Sequence, residues 1–175
     1  MWLKFGHTSI MAYLFSIRPE YCARIFDGKK TVELRRRVSP KIPVGSLMLI
    51  YETSPTKAVT GSAVISGVAS LPLADLWTVA KTQGGINSEA FDSYFAGMTD
   101  GYAIDLCRPR RFETPVSLSR LAVDYNLQAP QSYREVADSV AAALIGHGQV
   151  SLGHEYFDPG RGRSDDTRGL RLAAA

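Results

Sequence analysis

The sequence predicts an α+β domain in which a curled, mixed β-sheet carries helices at its ends. Three observations lead there. Strand patterns outnumber helical ones in the first half of the chain, with helical patterns filling the gaps between strands. Residues Leu47 to Tyr51 form a continuous apolar run, the mark of a strand buried on both sides. The long stretch Ala58 to Val68 is rich in small and β-branched residues but is broken by Gly61 and Gly67. Glycines inside a strand commonly mark the bulges and bends needed to close a barrel.

Taken in order, Ala12 to Phe15 is a short apolar strand. A helix then starts near Pro19, which suits the first helical position, with Glu20 favourable in the first turn. Tyr21, Cys22, Ile25 and Phe26 recur at helical spacing, and Gly28 sits where a helix-ending glycine belongs. Thr31 to Arg35 alternates as a strand, with Val32 and Leu34 on one face and Thr31, Glu33 and Arg35 on the other. Pro40, Pro43 and Gly45 mark a loop, and Glu52 to Lys57 a polar turn around Pro55. Leu73 to Thr82 and Ser88 to Gly97 read as helices, the second carrying Phe91, Tyr94 and Phe95 on one stripe. Gly101 to Cys107 is a strand; a basic corner with Arg108, Arg110 and Arg111 follows, then a short strand leading to Pro115. Ser132 to Glu135 fits a capping box opening a helix through Val140 and Leu144 to Gly146. The expected division is an N-terminal extension over 1–11, one domain with its C-terminal helix over 12–148, and a disordered tail over 149–175.

The chain has 175 residues, enough for one domain with a core and an appendage. No apolar run approaches the roughly 20 residues that span a bilayer. The N-terminus has neither a clean apolar core nor a cleavage site, so it is a poor signal peptide, and Met11 is an alternative start to Met1. Cys22 and Cys107 each lie in an apolar stretch and read as core thiols of a reducing compartment, which places the protein in the cytoplasm. Phosphate-binding and dinucleotide-binding glycine motifs, a serine elbow and a zinc-ligand spacing are all missing, so no metal and no cofactor is expected.

Charge is concentrated. Arg18 to Lys41 holds eight basic and three acidic residues, an excess of five in a chain whose net charge is +3. A polyanion partner would leave that footprint. At its centre lies Gly28 to Arg37, GKKTVELRRR. Gly28 permits a sharp helix-to-strand turn that lets backbone amides face a ligand, Lys30 and Arg35 supply cations, and Glu33 lies two residues from Arg35 on the same strand face. A Glu33–Arg35 pair would fix both side chains, presenting the arginine to phosphate and the carboxylate to a base edge. Its bland counterpart is a structural ion pair on a solvated strand.

This stretch resembles the G-x-K-x-x-E-x-R signature of ASCH domains, a branch of the PUA-like β-barrel group associated with RNA, with Gly28, Lys30, Glu33 and Arg35 at its fixed positions. SIRPEYCARIFDG, VGSLMLIYETSPTKAVTGSAVI, YFAGMTDGYAIDL, FETPVSL and APQSYR resemble further segments of that family in the right order, over roughly Ala12 to Arg134. The resemblance implies a closed mixed β-barrel with peripheral helices, whose signature lines a cleft for single-stranded RNA or a modified nucleoside. Arg36, Arg37, Ser54, Lys57, Gln131, Arg108 and Arg110 would extend the binding path.

Three chemistries stay open. In the first, a metal-independent ribonuclease, Tyr51, Lys57 and Ser132 would place, polarise and protonate groups at a phosphodiester, while RNA supplies its own 2′-hydroxyl nucleophile. Each of the three also has a purely structural reading: Tyr51 as core, Ser132 as a helix cap and Lys57 as a solvated strand end. The second resembles an amidohydrolase branch acting on acylated cytidine, with Lys30 as nucleophile or activator. There, Glu33 stands where that branch has threonine. The third is a non-catalytic RNA-binding regulator.

Overall fold

The computed structural model describes residues 11–148. The expected tail and nearly all of the expected N-terminal extension lie outside those residues. Six strands, β1 (Ala12–Ile17), β2 (Val32–Arg35), β3 (Leu47–Glu52), β4 (Ala58–Pro72), β5 (Asp100–Ser117) and β6 (Tyr133–Val136), form one sheet in the order β2-β5-β4-β3-β1-β6. β1 runs parallel to β3; every other neighbouring pair is antiparallel. The helices are α1 (Pro19–Phe26), α2 (Leu73–Val79), α3 (Ser88–Tyr94), α4 (Leu118–Tyr125) and α5 (Asp138–His147), and a π-helical turn over Ala80–Gly84 extends α2. The architecture is α+β.

β3 sits near the middle of the sheet and is buried on both faces, as its unbroken apolar run requires. Leu47, Leu49 and Tyr51 join a core with Leu14, Val59, Leu121 and Leu144, beneath α4 and α5. Met48 and Ile50 join a second core with Phe15, Ile25, Ile65 and Ile104, beneath α1. A third, smaller core holds Val32 and Leu34 against Leu76, Phe91 and Phe95 of α2 and α3.

The strand glycines do mark irregularities: the β4–β5 register shifts between Val59 and Gly61 and again between Ile65 and Gly67. Gly61 is obligatory for another reason, since a Cβ there would run into the Arg110 carbonyl and the Phe26 ring. The curl these bends produce does not, however, close the sheet into a barrel. β2 forms one edge and β6 the other. On β2 the Val32 carbonyl accepts from Lys30 Nζ at 2.7 Å and the Leu34 carbonyl from the Tyr94 hydroxyl at 3.5 Å. Side chains thus satisfy groups that a closing strand would have used. The two edges are bridged instead by the Arg35 side chain, which donates to the Ser16 carbonyl of β1 at 2.9 Å and to Ser132, just before β6.

The capping box also fails. Tyr133–Val136 is strand β6, pairing Phe15 with Tyr133 and Ala12 with Val136. The Tyr133 ring stacks on Phe15 at 5.0 Å between centroids, and Val136 is buried. Those contacts outweigh a helix start whose first turn would bury little, and the helix begins only at Asp138. Helix α4, with Ser117 accepting from the Arg120 amide as its cap, carries no counterpart in the sequence reading. The basic corner is a bend inside the single long strand β5, where Arg108 adopts φ +51°. Cys22 and Cys107 are both free thiols; burial pushes the Cys22 thiol well up and leaves it inert.

Candidate functional site

Where the sheet fails to close, a cleft of about 1170 Å³ opens between β2, the end of β1 and the segment leading into β6. Its charge is one-sided. Among the described residues, Arg18, Lys30, Arg35, Arg36 and Arg37 line it, against the single carboxylate of Glu33.

Lys30, Glu33 and Arg35 make its floor. Because Val32 and Leu34 are drawn into the α2–α3 core, alternation along β2 turns Glu33 and Arg35 to the opposite face. All three charged residues are buried, at 3%, 6% and 6% exposure, so the solvated strand face weighed from the sequence is excluded. Glu33 Oε2 lies 3.1 Å from Lys30 Nζ and Oε1 lies 3.0 Å from Arg35. The Lys30 ammonium donates further to the carbonyls of Val32 and Gly84, each at 2.7 Å, and stands 5.3 Å from the centre of the Tyr21 ring. Its three protons therefore have three acceptors. The Arg35 guanidinium packs 5.1 Å from the Phe15 ring, with its Nε buried and unpartnered among the described residues. Buried ions cost several kcal/mol each in lost hydration, and the two ion pairs with the carbonyl and Ser132 contacts around them offset that cost, Arg35 Nε alone being left over.

Arg36 and Arg37 are exposed on the cleft rim, Arg36 donating to the Ala96 carbonyl at 3.3 Å. Gln131 and Ser132 form the opposite lip. Ser132 sits at a bend just before β6 and not at a helix start, so it offers its hydroxyl and carbonyl to Arg35 rather than a helix N-terminus to phosphate. Gly28 does adopt the left-handed turn, φ +72°, but its amide donates to the Ile25 carbonyl and the residue lies outside the cleft lining. The amide ends the helix and does not face a ligand.

Tyr51 is 4% exposed and also lies outside that lining, yet it is close in register. Tyr51 pairs with Ser16 across β3–β1, and the Ser16 amide donates to the Ser132 carbonyl at 2.9 Å. Tyr51, Ser16 and Ser132 thus form one row across three neighbouring chain segments, with Tyr51 and Ser132 roughly 10 Å apart along it. Ser16 and Ser132 line the cleft; Tyr51 stands behind them. Burial raises the Tyr51 pKa above its ordinary value, so its hydroxyl keeps its proton through neutral pH. Ser54 and Lys57 are exposed in the adjoining turn, whose Thr53 reaches the cleft. Lys57 adopts φ +47° at the same sheet end as Tyr51. Arg108 and Arg110 lie outside the lining on the β5 bend, and neighbouring Arg111 packs 4.5 Å from the Phe26 ring.

Sequence reasoning missed Arg18, Tyr21, Thr53 and Tyr94 as cleft residues. Tyr94 had a readable signal. Phe91 and Phe95, one turn apart, fill the inward face of α3, which leaves Tyr94 on the rim of the stripe.

Comparison with known proteins places these features in a family context. The ASCH domain family model matches residues 15–115. An ASCH domain-containing ribonuclease of Zymomonas mobilis is 32% identical over 120 residues, covering 68% of this chain and 80% of that protein. The crystal structure of ASCH from Zymomonas mobilis superimposes with a TM-score of 0.71 at 28% identity, covering 77% of this chain and 94% of that one. The large ribosomal subunit protein uL22 of Ureaplasma parvum is 28% identical over 114 residues, but the match spans 35% of its length.

Proposed function

The chain belongs to the ASCH domain family, and on that premise we propose that its cleft binds single-stranded RNA and cleaves it without a metal ion. One observation carries the reading: among the described residues, five cations against one carboxylate line a cleft whose floor is a buried ion network. Phosphate contacts supply most of the affinity of such a site and make it salt-dependent. The likeness to a Zymomonas protein named a ribonuclease supports the catalytic half.

In the proposed reaction the substrate's 2′-hydroxyl attacks the adjacent phosphorus. The new P–O2′ bond forms as the P–O5′ bond breaks, and the 2′-hydroxyl proton passes to solvent. Tyr51, held neutral by burial behind Ser16 and Ser132, gives its proton to the departing 5′ oxygen once that edge of the cleft moves aside. Ser132 orients the phosphate, and Lys57 with the rim arginines offsets the charge developing on it. The products are a 2′,3′-cyclic phosphate and a 5′-hydroxyl end. Gln131 and Ser54 extend the binding surface at the two ends of this row.

Deacylation of a modified cytidine is not favoured. It asks Lys30 to act as nucleophile or activator, and all three ammonium protons are already committed to Glu33, Val32 and Gly84. A non-catalytic RNA-binding module remains the alternative outcome. Labelled single-stranded RNA incubated with the protein in EDTA separates these readings. Cyclic-phosphate products support the ribonuclease, binding without products supports the module, and neither binding nor products overturns the proposal.

A further inference from the structure

Among the described residues, Tyr94 is the one large aromatic side chain of the cleft lining that stands exposed, at 38%. Two contacts hold its ring in place. Its hydroxyl donates to the Leu34 carbonyl of β2 at 3.5 Å, and it meets the buried Phe95 ring nearly at right angles, 80° and 4.8 Å between centroids. In an edge-to-face pair at most one face of either ring is occupied by the other, so Phe95 leaves at least one face of Tyr94 uncovered, and the side chain's exposure is on the cleft lining. The other cleft tyrosines are taken. Tyr133 stacks on Phe15 and accepts from the Ser39 amide, and Tyr21 is half-buried with Lys30 beside its ring.

A cation adjoins the open ring. Arg36 is anchored on the Ala96 carbonyl, two residues beyond Tyr94, and lines the same cleft. A π-face beside a guanidinium matches the repeating chemistry of one nucleotide, a flat base next to a phosphate. Burial raises the Tyr94 pKa despite the opposing influence of Arg35, so the ring remains a neutral phenol and does not repel the polyanion. The cleft volume, about 1170 Å³, lies just above the roughly 300–1,000 Å³ range of small-molecule pockets, which suits a short strand better than a lone nucleoside.

We infer that Tyr94 is the stacking platform for one unpaired base of the bound RNA, and that Arg36 holds the phosphate beside it. This deepens the RNA reading and rests on it. Because stacking accepts any base, Tyr94 selects single strands over duplexes without selecting a sequence.

The test compares the full-length protein, Tyr94→Phe and Tyr94→Ala against a short single-stranded RNA and against an abasic oligomer with the same number of phosphates. Tyr94→Phe should bind RNA nearly as wild type. Tyr94→Ala should lose about 5- to 150-fold, the range that alanine substitution produces at one stacked base. On the abasic oligomer, Tyr94→Ala and wild type should bind equally. If wild type binds RNA and Tyr94→Ala binds it just as well, the stacking role fails while the RNA reading stands. If the folded wild-type protein binds no RNA, both fail. A circular dichroism spectrum of Tyr94→Ala matching wild type keeps a folding defect from imitating the expected loss.

Discussion

Replacing Glu33 by glutamine removes the only carboxylate between two buried cations. The oxygens of Glu33 lie 3.1 Å from Lys30 and 3.0 Å from Arg35, and those residues are 3% and 6% exposed, so water cannot take its place. Breaking a buried pair by removing one partner costs about 3–5 kcal/mol. The low end applies here. Lys30 keeps its two carbonyl acceptors and Arg35 keeps Ser16 and Ser132. A loss of about 3 kcal/mol corresponds to a fall in Tm of about 6–12 °C for a chain of this size. Urea unfolding followed by circular dichroism gives the value, with Asp124→Asn as the control. That residue pairs with Arg120 at a similar 3.1 Å, but the two side chains are 41% and 55% exposed, so its loss should stay below about 1 kcal/mol. The triple variant Lys30→Met/Glu33→Leu/Arg35→Met should recover much of the lost stability, because apolar side chains of similar volume replace buried ions at little cost. Equal losses of under about 1 kcal/mol for Glu33→Gln and Asp124→Asn would refute the reasoning about burial.

Further predictions follow from the same geometry. Tyr51→Phe should leave RNA affinity unchanged and lower the cleavage rate by about 10²- to 10⁴-fold, measured under single-turnover conditions. The raised Tyr51 pKa also sets a pH dependence. The proton-donating form persists through neutral pH and is lost only as pH rises past the ordinary tyrosine value of 10.0, so any fall in wild-type rate between pH 7 and 9 must come from another group. Gly61→Ala should destabilise the fold by about 1–3 kcal/mol or more in a thermal melt, since its methyl group would meet the Arg110 carbonyl and the Phe26 ring.

Much of the fold could be read from periodicity because local pattern and tertiary demand agree there. The run Leu47 to Tyr51 is apolar throughout since each of its faces meets a different core. Pro19 and Gly28 bracket α1 because both ends need the backbone those residues supply. Reading failed where long-range contacts decide. Ser132 to Glu135 carries a helix-start pattern, but pairing with β1 and stacking of Tyr133 on Phe15 make it an edge strand. Closure of the sheet depends on what meets the outer edge of β2, and side chains from Lys30 and Tyr94 meet it, a fact of tertiary placement.

The cleft shows the same division. Its floor lies within one short segment, so the spacing of Lys30, just before β2, from Glu33 and Arg35 along it exposes it to inspection. Arg18, Thr53 and Tyr94 come from a loop, a turn and a helix end, and only folding collects them.

The central claim, that the cleft carries single-stranded RNA on its cationic rim, is tested most directly by the salt dependence of RNA affinity. Wild type, Arg36→Ala/Arg37→Ala and Arg108→Ala/Arg110→Ala should be compared between low and moderate salt. Each phosphate contact contributes about 0.7 to the slope of log affinity against log salt for a single strand. The cleft variant should therefore lose about 1.4 from the slope, and the variant on the β5 bend should match wild type. A cleft variant with an unchanged slope, beside a β5 variant that lost it, would put the RNA on the β5 bend instead of in the cleft and contradict the account.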